Sequence, residues 1–352
     1  MSREERKLRK HLEAHARREL RKALSKARVK DWKPPRERVN INDDEEDYLP
    51  RSKRNRTATV KEPVVGPVST GFVAETGPGF CDVLCEGERI RCRHSGDVSI
   101  GDRVVYRPDS RRIQEVLPRR TALSRADPHN PRIQRVIAAN VDVVVNVVSL
   151  KTPPLRPGLI DRYLIAIGKS GAQALLCVNK IDLLEGAEEL DAVRPYQDIG
   201  IPVILCSAST GAGLDELAQA LAGKLCVFAG HSGVGKSSLL NALDPQLQIA
   251  TGSVSEVNEK GRHTTTSSAL YQLPNGATVI DTPGIREFGL WDITRDDLRR
   301  YYQEFGAYQC GFADCTHTRE PDCAVKQAVE CGAISAARYE SYARILASLA
   351  IG

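Results

Sequence analysis

The chain has 352 residues, 41% hydrophobic and 27% charged, with a formal net charge of +5, the proportions of a globular protein of about two to four domains. It has no apolar run long enough to span a membrane, and its charged N-terminus lacks the apolar stretch of a secretory leader. Ten cysteines without such a leader predict a reducing, cytoplasmic setting in which thiols stay free or bind metal.

Residues 1–36 are dominated by Lys and Arg, opposed only by Glu4, Glu5, Glu13, Glu19 and Asp31. Leu8, Leu12, Leu20 and Leu24 form a stripe at helical spacing that is too narrow to pack a helix alone. An acidic block, Asn42-Asp43-Asp44-Glu45-Glu46-Asp47, precedes a basic one, Arg51-Ser52-Lys53-Arg54-Asn55-Arg56. Blocks of like charge stay disordered and serve as interaction tails. Residues 1–63 therefore read as a disordered arm, either a solvated tail or a segment that folds along RNA phosphates.

Order is expected from Val64. Residues 67–74, 80–85, 88–93 and 102–106 alternate like short strands, with turns at Gly77-Pro78-Gly79, Gly87 and Gly101. Such spacing predicts a small β-barrel over residues 64–118, compatible with an OB-fold. Arg89, Arg91, Arg93, Arg103, Arg107, Arg111 and Arg112 suit a nucleic-acid face, although aromatic residues for base stacking are few.

From residue 119 the pattern becomes strand–helix alternation. Val141-Asp142-Val143-Val144-Val145-Asn146-Val147-Val148 is a β-branched run typical of a strand buried on both faces. A helix over residues 159–169, a strand over 174–178, a loose helix, a strand over 203–206 and a helix over 214–221 follow. Strands over residues 225–229 and 277–280 complete an α/β domain, residues 119–291, with a mostly parallel sheet. Its chemistry is expected at the carboxyl ends of the strands.

Between an apolar strand and a helix start lies Gly230-His231-Ser232-Gly233-Val234-Gly235-Lys236-Ser237-Ser238. Strand, glycine-rich loop and Lys-Ser opening a helix make a phosphate-binding loop, whose backbone N–H groups face the anion. Lys236 reaches the β- and γ-phosphates, and the Ser237 hydroxyl is a ligand for Mg²⁺.

Asn179-Lys180-Ile181-Asp182 follows a buried strand, where a base-reading loop belongs. The Asp182 carboxylate can accept from the N1–H and exocyclic amine of guanine, donors that adenine does not present in that arrangement. Asn179 and Lys180 are expected to brace the loop and stack on the base, and Ser207-Ala208 to place a backbone N–H against the guanine O6. Asp281-Thr282-Pro283-Gly284 supplies a carboxylate for Mg²⁺ and, at Gly284, an N–H for the γ-phosphate. Gly261-Arg262-His263-Thr264-Thr265-Thr266 suits a switch loop in which one threonine, Thr265 favoured among three, reaches Mg²⁺ only while the γ-phosphate is present.

Ordinary GTPases run phosphate loop, switch threonine, Asp-x-x-Gly, Asn-Lys-x-Asp and Ser-Ala; here the last two come first. The order is a circular permutation, closed by the helix at residues 214–221 leading into the strand at Leu225. It places Asp281 and Gly284 directly before the C-terminal segment, residues 292–352. There Cys310, Cys315, His317 and Cys323 have the composition and density of a closed structural zinc site. Cys331 reads as a core thiol, and residues 333–349 as a helix packing through Ile334, Ala337, Tyr342, Ile345 and Leu349.

Basic tail, barrel, permuted GTPase and Cys-Cys-His-Cys segment, in that order, resemble the RsgA (YjeQ) family from about Val64 onward. The resemblance implies GTP hydrolysis in late maturation of the bacterial small ribosomal subunit, stimulated by the subunit and coupled to release. It also implies an OB-fold in contact with rRNA, zinc in the C-terminal domain, Mg²⁺ with GTP, and a cytoplasmic setting. No membrane role is expected, and a monomer is. The residue after Asp-x-x-Gly, often a water-orienting glutamine, is Ile285, so intrinsic turnover is expected to be slow. His263 is either the residue that positions water once the switch loop orders or a solvated loop side chain; His231 is the lesser candidate. A GTP-gated RNA-binding module with incidental hydrolysis is the competing reading. A nucleotidase acting on a protein client is opposed by Asp182 and by the basic barrel.

Overall fold

A computed structural model describes residues 67–127, 130, 134–249, 269–281 and 293–349. All of the described residues fall in one compact unit. The charged arm, His263, Thr264, Thr265, Thr266, Gly284 and Ile285 lie outside the described residues.

Strands β1 (Ser69–Gly77), β2 (Phe80–Cys85), β3 (Glu88–Arg93), β4 (Arg103–Arg107) and β5 (Arg112–Val116) close into a barrel in the order β1-β2-β3-β5-β4. Val73, Cys81, Val83, Cys92, Val104 and Tyr106 fill its interior. The alternate residues Arg89, Arg91, Arg93 and Arg103 stay exposed. A five-stranded barrel of this order fits the expected OB-fold. Strand β5 gives no strand signal in the sequence, because Arg112-Ile113-Gln114-Glu115-Val116 carries only two apolar residues.

The barrel joins the following domain at Gly101, where φ is +84° and a Cβ would lie 2.2 Å from the Ala139 carbonyl oxygen. Asn140 Nδ2 donates to the Gly101 carbonyl (2.9 Å), and Arg119 pairs with the buried Asp102 carboxylate (2.7 Å). Strands β6 (Ala122–Ala126) and β7 (Gln134–Ala139) form a small antiparallel sheet at this junction. Ser124, Arg125 and Arg135 interrupt their apolar pattern, so neither strand is legible in the sequence.

The α/β domain has six strands, β8 (Val143–Val148), β9 (Gln173–Val178), β10 (Val203–Leu205), β11 (Leu225–Ala229), β12 (Ala269–Gln272) and β13 (Thr278–Asp281). Their order is β10-β9-β8-β11-β13-β12, parallel throughout except for β12, which runs antiparallel to β13. All six residues of β8 are buried. Val143, Val145 and Val147 pack with Leu217 and Leu221 of α3 (Leu214–Leu221) and Leu239 of α4 (Lys236–Leu243), as does Val234. Val144 faces Tyr163 and Ile167 of α1 (Pro157–Ser170) on the opposite side. Pro157 opens α1, where its missing N–H costs nothing, and Gly171 ends it at φ 81°. A short helix, α2 (Arg194–Asp198), stands where the loose helix is expected.

The C-terminal segment adds α5 (Arg295–Leu298), α6 (Ala324–Glu330) and α7 (Ala336–Ser348) around Leu298, Tyr302, Phe305, Val325, Tyr342 and Ile345. Two expectations fail here. Cys331 is exposed, because it terminates α6 rather than packing under it. Ala337 is exposed too, and its neighbour Arg338 turns inward instead.

Arg338 fastens this segment to α1. Its guanidinium pairs with the Asp161 carboxylate, bonds Glu304 at 2.7 Å, and lies 4.5 Å from the Tyr302 ring centroid. Side-chain exposure is 4% for Arg338 and 0% for Asp161, so the charges are compensated by each other and not by water. Arg338→Met should strand two carboxylates and destabilise the fold by about 3–5 kcal/mol in urea unfolding. A loss below about 1 kcal/mol would mean the pair behaves as a solvated surface bridge.

Candidate functional site

Parallel strands bring the loops after β8, β9, β10 and β11 to one edge of the sheet, where β13 also ends. The loop after β11 is built by glycines that no other residue can replace. Gly230 has φ +141°, and a Cβ there would lie 2.2 Å from the Val147 carbonyl oxygen. Gly235 has φ +92°, and its Cβ would lie 2.3 Å from Asn179 Nδ2. Gly235 also begins α4 with no side-chain cap, so the first N–H groups of the helix are open to an anion. Lys236 Nζ lies across the loop and donates to the Gly230 and His231 carbonyls (2.8 and 2.9 Å). Ser237 and Ser238 are half-buried in the first turn, and Ser232 and Gly233 are exposed at the rim. His231 Nδ1 is 2.8 Å from the Ser232 carbonyl oxygen.

The loop after β9 is tied to that loop directly. Buried Asn179 donates from Nδ2 to the Val234 carbonyl (2.9 Å) and accepts from the Ala208 N–H (3.1 Å). Lys180 Nζ donates to the Gly233 and Thr152 carbonyls, each at 2.7 Å. Two adjacent residues thus hold together the loops after β8, β9, β10 and β11. Thr152 has no sequence signal, since it contributes only a carbonyl.

Asp182 is exposed, and its Oδ1 accepts from the Ser207 hydroxyl at 2.5 Å. That hydroxyl holds the Asp182 carboxyl below its ordinary range, so the group is ionised at neutral pH. The Ser207 N–H is spent on the Ala212 carbonyl (2.9 Å). Asp281 ends β13 at the same edge: β13 pairs with β11 with Ile280 opposite Val227.

The second site is the sulfur–imidazole cluster. The ligand atoms of Cys310, Cys315, His317 and Cys323 all lie within 4.8 Å of one another and can hold a metal ion. Cys310 Sγ is 3.7 Å from Cys323 Sγ, and both are 3.5 Å from His317 Nδ1. A tetrahedron with metal–sulfur bonds of about 2.3 Å has sulfur–sulfur edges of about 3.8 Å, so the spacing fits one ion at the centre. Burial holds His317 below its ordinary range and keeps the ring neutral, the form that ligates.

Residues without any motif shape this cluster. Glu320 accepts from the Thr316 hydroxyl (2.6 Å) and from the backbone N–H groups of Thr316 and Thr318 (both 2.9 Å). These bonds, the Thr316 hydroxyl foremost, bring its carboxyl down to about 2. Tyr339 and Tyr342 of α7 donate to the His317 and Thr316 carbonyls (2.7 and 2.9 Å). The last helix therefore fixes the backbone that carries His317 through two phenols.

Comparison with known proteins gives a consistent result. The RsgA GTPase family model matches residues 116–291. The small ribosomal subunit biogenesis GTPase RsgA of Chlorobaculum parvum is 42% identical over 303 residues, 79% of this chain and 94% of that protein. The protein of the same name from Haemophilus influenzae (strain 86-028NP) is 41% identical over 302 residues, 81% of this chain and 86% of its own. Among solved structures, YjeQ from Thermotoga maritima is 36% identical with a TM-score of 0.67, covering 80% of this chain and 99% of that one. YloQ, described as a circularly permuted GTPase, is 30% identical with a TM-score of 0.62, covering 82% and 97%.

Gly235→Ala tests the loop geometry. The added methyl would strain a left-handed position and push against Asn179, a cost of about 1–3 kcal/mol at each affected residue. GDP affinity in calorimetric titration should fall about tenfold or more; affinity within about twofold of wild type would show that the two loops are not in contact in solution.

Proposed function

The chain belongs to the RsgA GTPase family, and from that premise we propose that it hydrolyses GTP on the small ribosomal subunit as a late assembly checkpoint. Turnover is stimulated by the subunit and coupled to release, with the barrel against rRNA. The protein acts as a cytoplasmic monomer, and its working divisions are residues 64–118, 119–291 and 292–352. The observation that carries the reading is the joined pair of loops, in which Asn179 and Lys180 bond the carbonyls of Val234 and Gly233. A nucleotide spanning them has its phosphates on one loop and its base on the other.

Within that reading Gly230, His231, Ser232, Gly233, Val234 and Gly235 wrap the phosphates, and Lys236 exchanges its two carbonyl partners for phosphate oxygens. Asp182, aimed by the Ser207 hydroxyl, accepts from guanine N1–H and its exocyclic amine. Because the Ser207 N–H is spent within its own turn, the contact to guanine O6 falls to the Ala208 N–H, which would exchange its Asn179 partner (3.1 Å) for the base. Hydroxyl and carboxylate oxygens of Ser237, Thr265 and Asp281 are the hard donor set that Mg²⁺ takes beside phosphates, and they would hold it there. The ion supplies charge neutralisation on the β- and γ-oxygens. Gly284 offers an N–H to the γ-phosphate, and His263 orients the attacking water in place of a side chain that Ile285 cannot provide. In the C-terminal domain, three thiolates and one imidazole at tetrahedral spacing are the donor set of structural zinc, held by Cys310, Cys315, His317 and Cys323.

Steady-state GTP hydrolysis is the deciding measurement. Isolated small subunits should raise turnover strongly, and the rise should shrink as salt increases. His263→Ala should keep GTP binding and lose the stimulation. Slow turnover indifferent to subunits would favour a GTP-gated RNA-binding module instead. Stimulation unchanged in His263→Ala would remove that residue from the mechanism.

Metal content is a separate test. One zinc ion per chain is expected by elemental analysis, lost in Cys310→Ser with a fall in Tm. Full thermal stability after exhaustive chelation would argue against a structural metal.

A further inference from the structure

Five large apolar side chains among the described residues are exposed, and two of them, Phe72 and Phe80, each 45% exposed, stand on the outer face of the barrel. Strand register puts them in one pattern. Phe72 lies opposite Arg103 on β4 and Leu84 on β2, and Leu84 lies opposite Arg89 on β3. Phe80 lies opposite Arg93 on β3. Between these rows Asp82 pairs with Arg91 at 2.9 Å, which neutralises a carboxylate that would otherwise repel an anion. The Arg103 guanidinium is 5.8 Å from the Phe72 ring centroid, and the Arg93 guanidinium is 5.9 Å from that of Phe80. Each ring thus carries its own cation.

We infer that this face of β1, β2 and β3 binds unpaired RNA, with Phe72 and Phe80 as two stacking platforms for splayed bases and Arg93, Arg103 and Arg89 as phosphate partners. The inference rests on the rRNA-binding reading above and names what the barrel recognises. Three features select this occupant. Exposed aromatic rings beside cations are the combination that base faces and phosphates require together. Four residues along β2 separate Leu84, opposite Phe72, from Phe80, so the two rows are roughly 13 Å apart. Bases stacked in a helix lie about 3.4 Å apart, so two rings at this separation engage bases that are not stacked on each other. Bases inside a duplex hide their faces, which leaves an unpaired segment as the partner. The same sheet face is the one by which OB-folds hold oligonucleotides.

The test is fluorescence titration of the full chain with labelled RNA of about 12 nucleotides, unpaired or as a duplex, at two salt concentrations. Phe72→Leu and Phe80→Leu keep an apolar strand residue and remove only the ring. Each should weaken binding of unpaired RNA about fivefold or more and leave duplex binding and the salt slope unchanged. Arg93→Gln should weaken both RNAs and flatten the salt slope. Unpaired RNA bound as tightly by the double phenylalanine variant as by wild type overturns the proposal. So does loss of binding to intact small subunits with unchanged RNA affinity, which would assign the face to a protein. Subunit-stimulated GTP turnover, measured on the same samples, reports on the proposed function alone. Stimulation with no effect of the ring substitutions on RNA would defeat only the stacking inference.

Discussion

Contact between two loops from different strands is the constraint on which the rest of the molecule depends. Asn179 can donate to the Val234 carbonyl only because Gly235 has no Cβ, whose place would be 2.3 Å from the Asn179 amide. Lys180 adds a second tie at Gly233, and its other bond, to Thr152, brings in the loop after β8. The loops after β9 and β11 are therefore tied to each other by side chains of the first and carbonyls of the second. Positioning done in advance lowers the ordering cost of binding and leaves the chemistry to the parts that respond to the γ-phosphate.

The same segment anchors the C-terminal domain. Thr152, which takes the Lys180 ammonium, lies nine residues before Asp161, which takes the Arg338 guanidinium. Between them runs the start of α1, opened by Pro157 and buried through Ile160. The permuted order adds the other connection, because the chain leaving β13 at Asp281 continues into that domain. The chain after β13 and the Arg338–Asp161 pair are thus two connections between the α/β domain and the C-terminal segment, and breaking the second is costly because it leaves an uncompensated buried charge.

Much of this was legible in the residues. The buried strands β8, β9 and β11 announce themselves as β-branched or apolar runs, and the motifs after β9 and β11 have fixed spacing with a physical cause. Cys310, Cys315, His317 and Cys323 are found by ligand type alone. What stayed hidden has equally physical causes. Strand β5 is short and mostly polar, and β6 and β7 pair with each other across interrupted patterns, so their alternation is too weak to read. Arg338 looks like a solvated helix residue until Asp161, distant in sequence, is placed beside it. Cys331 was misread because a thiol at the end of a helix has the same composition signal as one beneath it. Glu320, Tyr339 and Thr152 act through backbone groups, which no side-chain pattern encodes.

Seven described non-glycine residues have a left-handed backbone, and two of them stand in the loop after β9 and in the sulfur–imidazole cluster. Among described non-glycine residues with left-handed φ are Lys180 at 66° and His317 at 58°, one in the base loop and one in the metal cluster. A left-handed backbone costs an ordinary side chain roughly 1–2 kcal/mol, which glycine at either position would avoid. Glycine would also remove the ammonium that ties Gly233 to Thr152, or the imidazole that completes the ligand set. The conformation persists because each side chain is held at its far end, Lys180 by two carbonyls at 2.7 Å and His317 by two sulfurs at 3.5 Å from Nδ1. Strain that local propensity would remove is retained where a side chain must reach a point the relaxed backbone cannot serve.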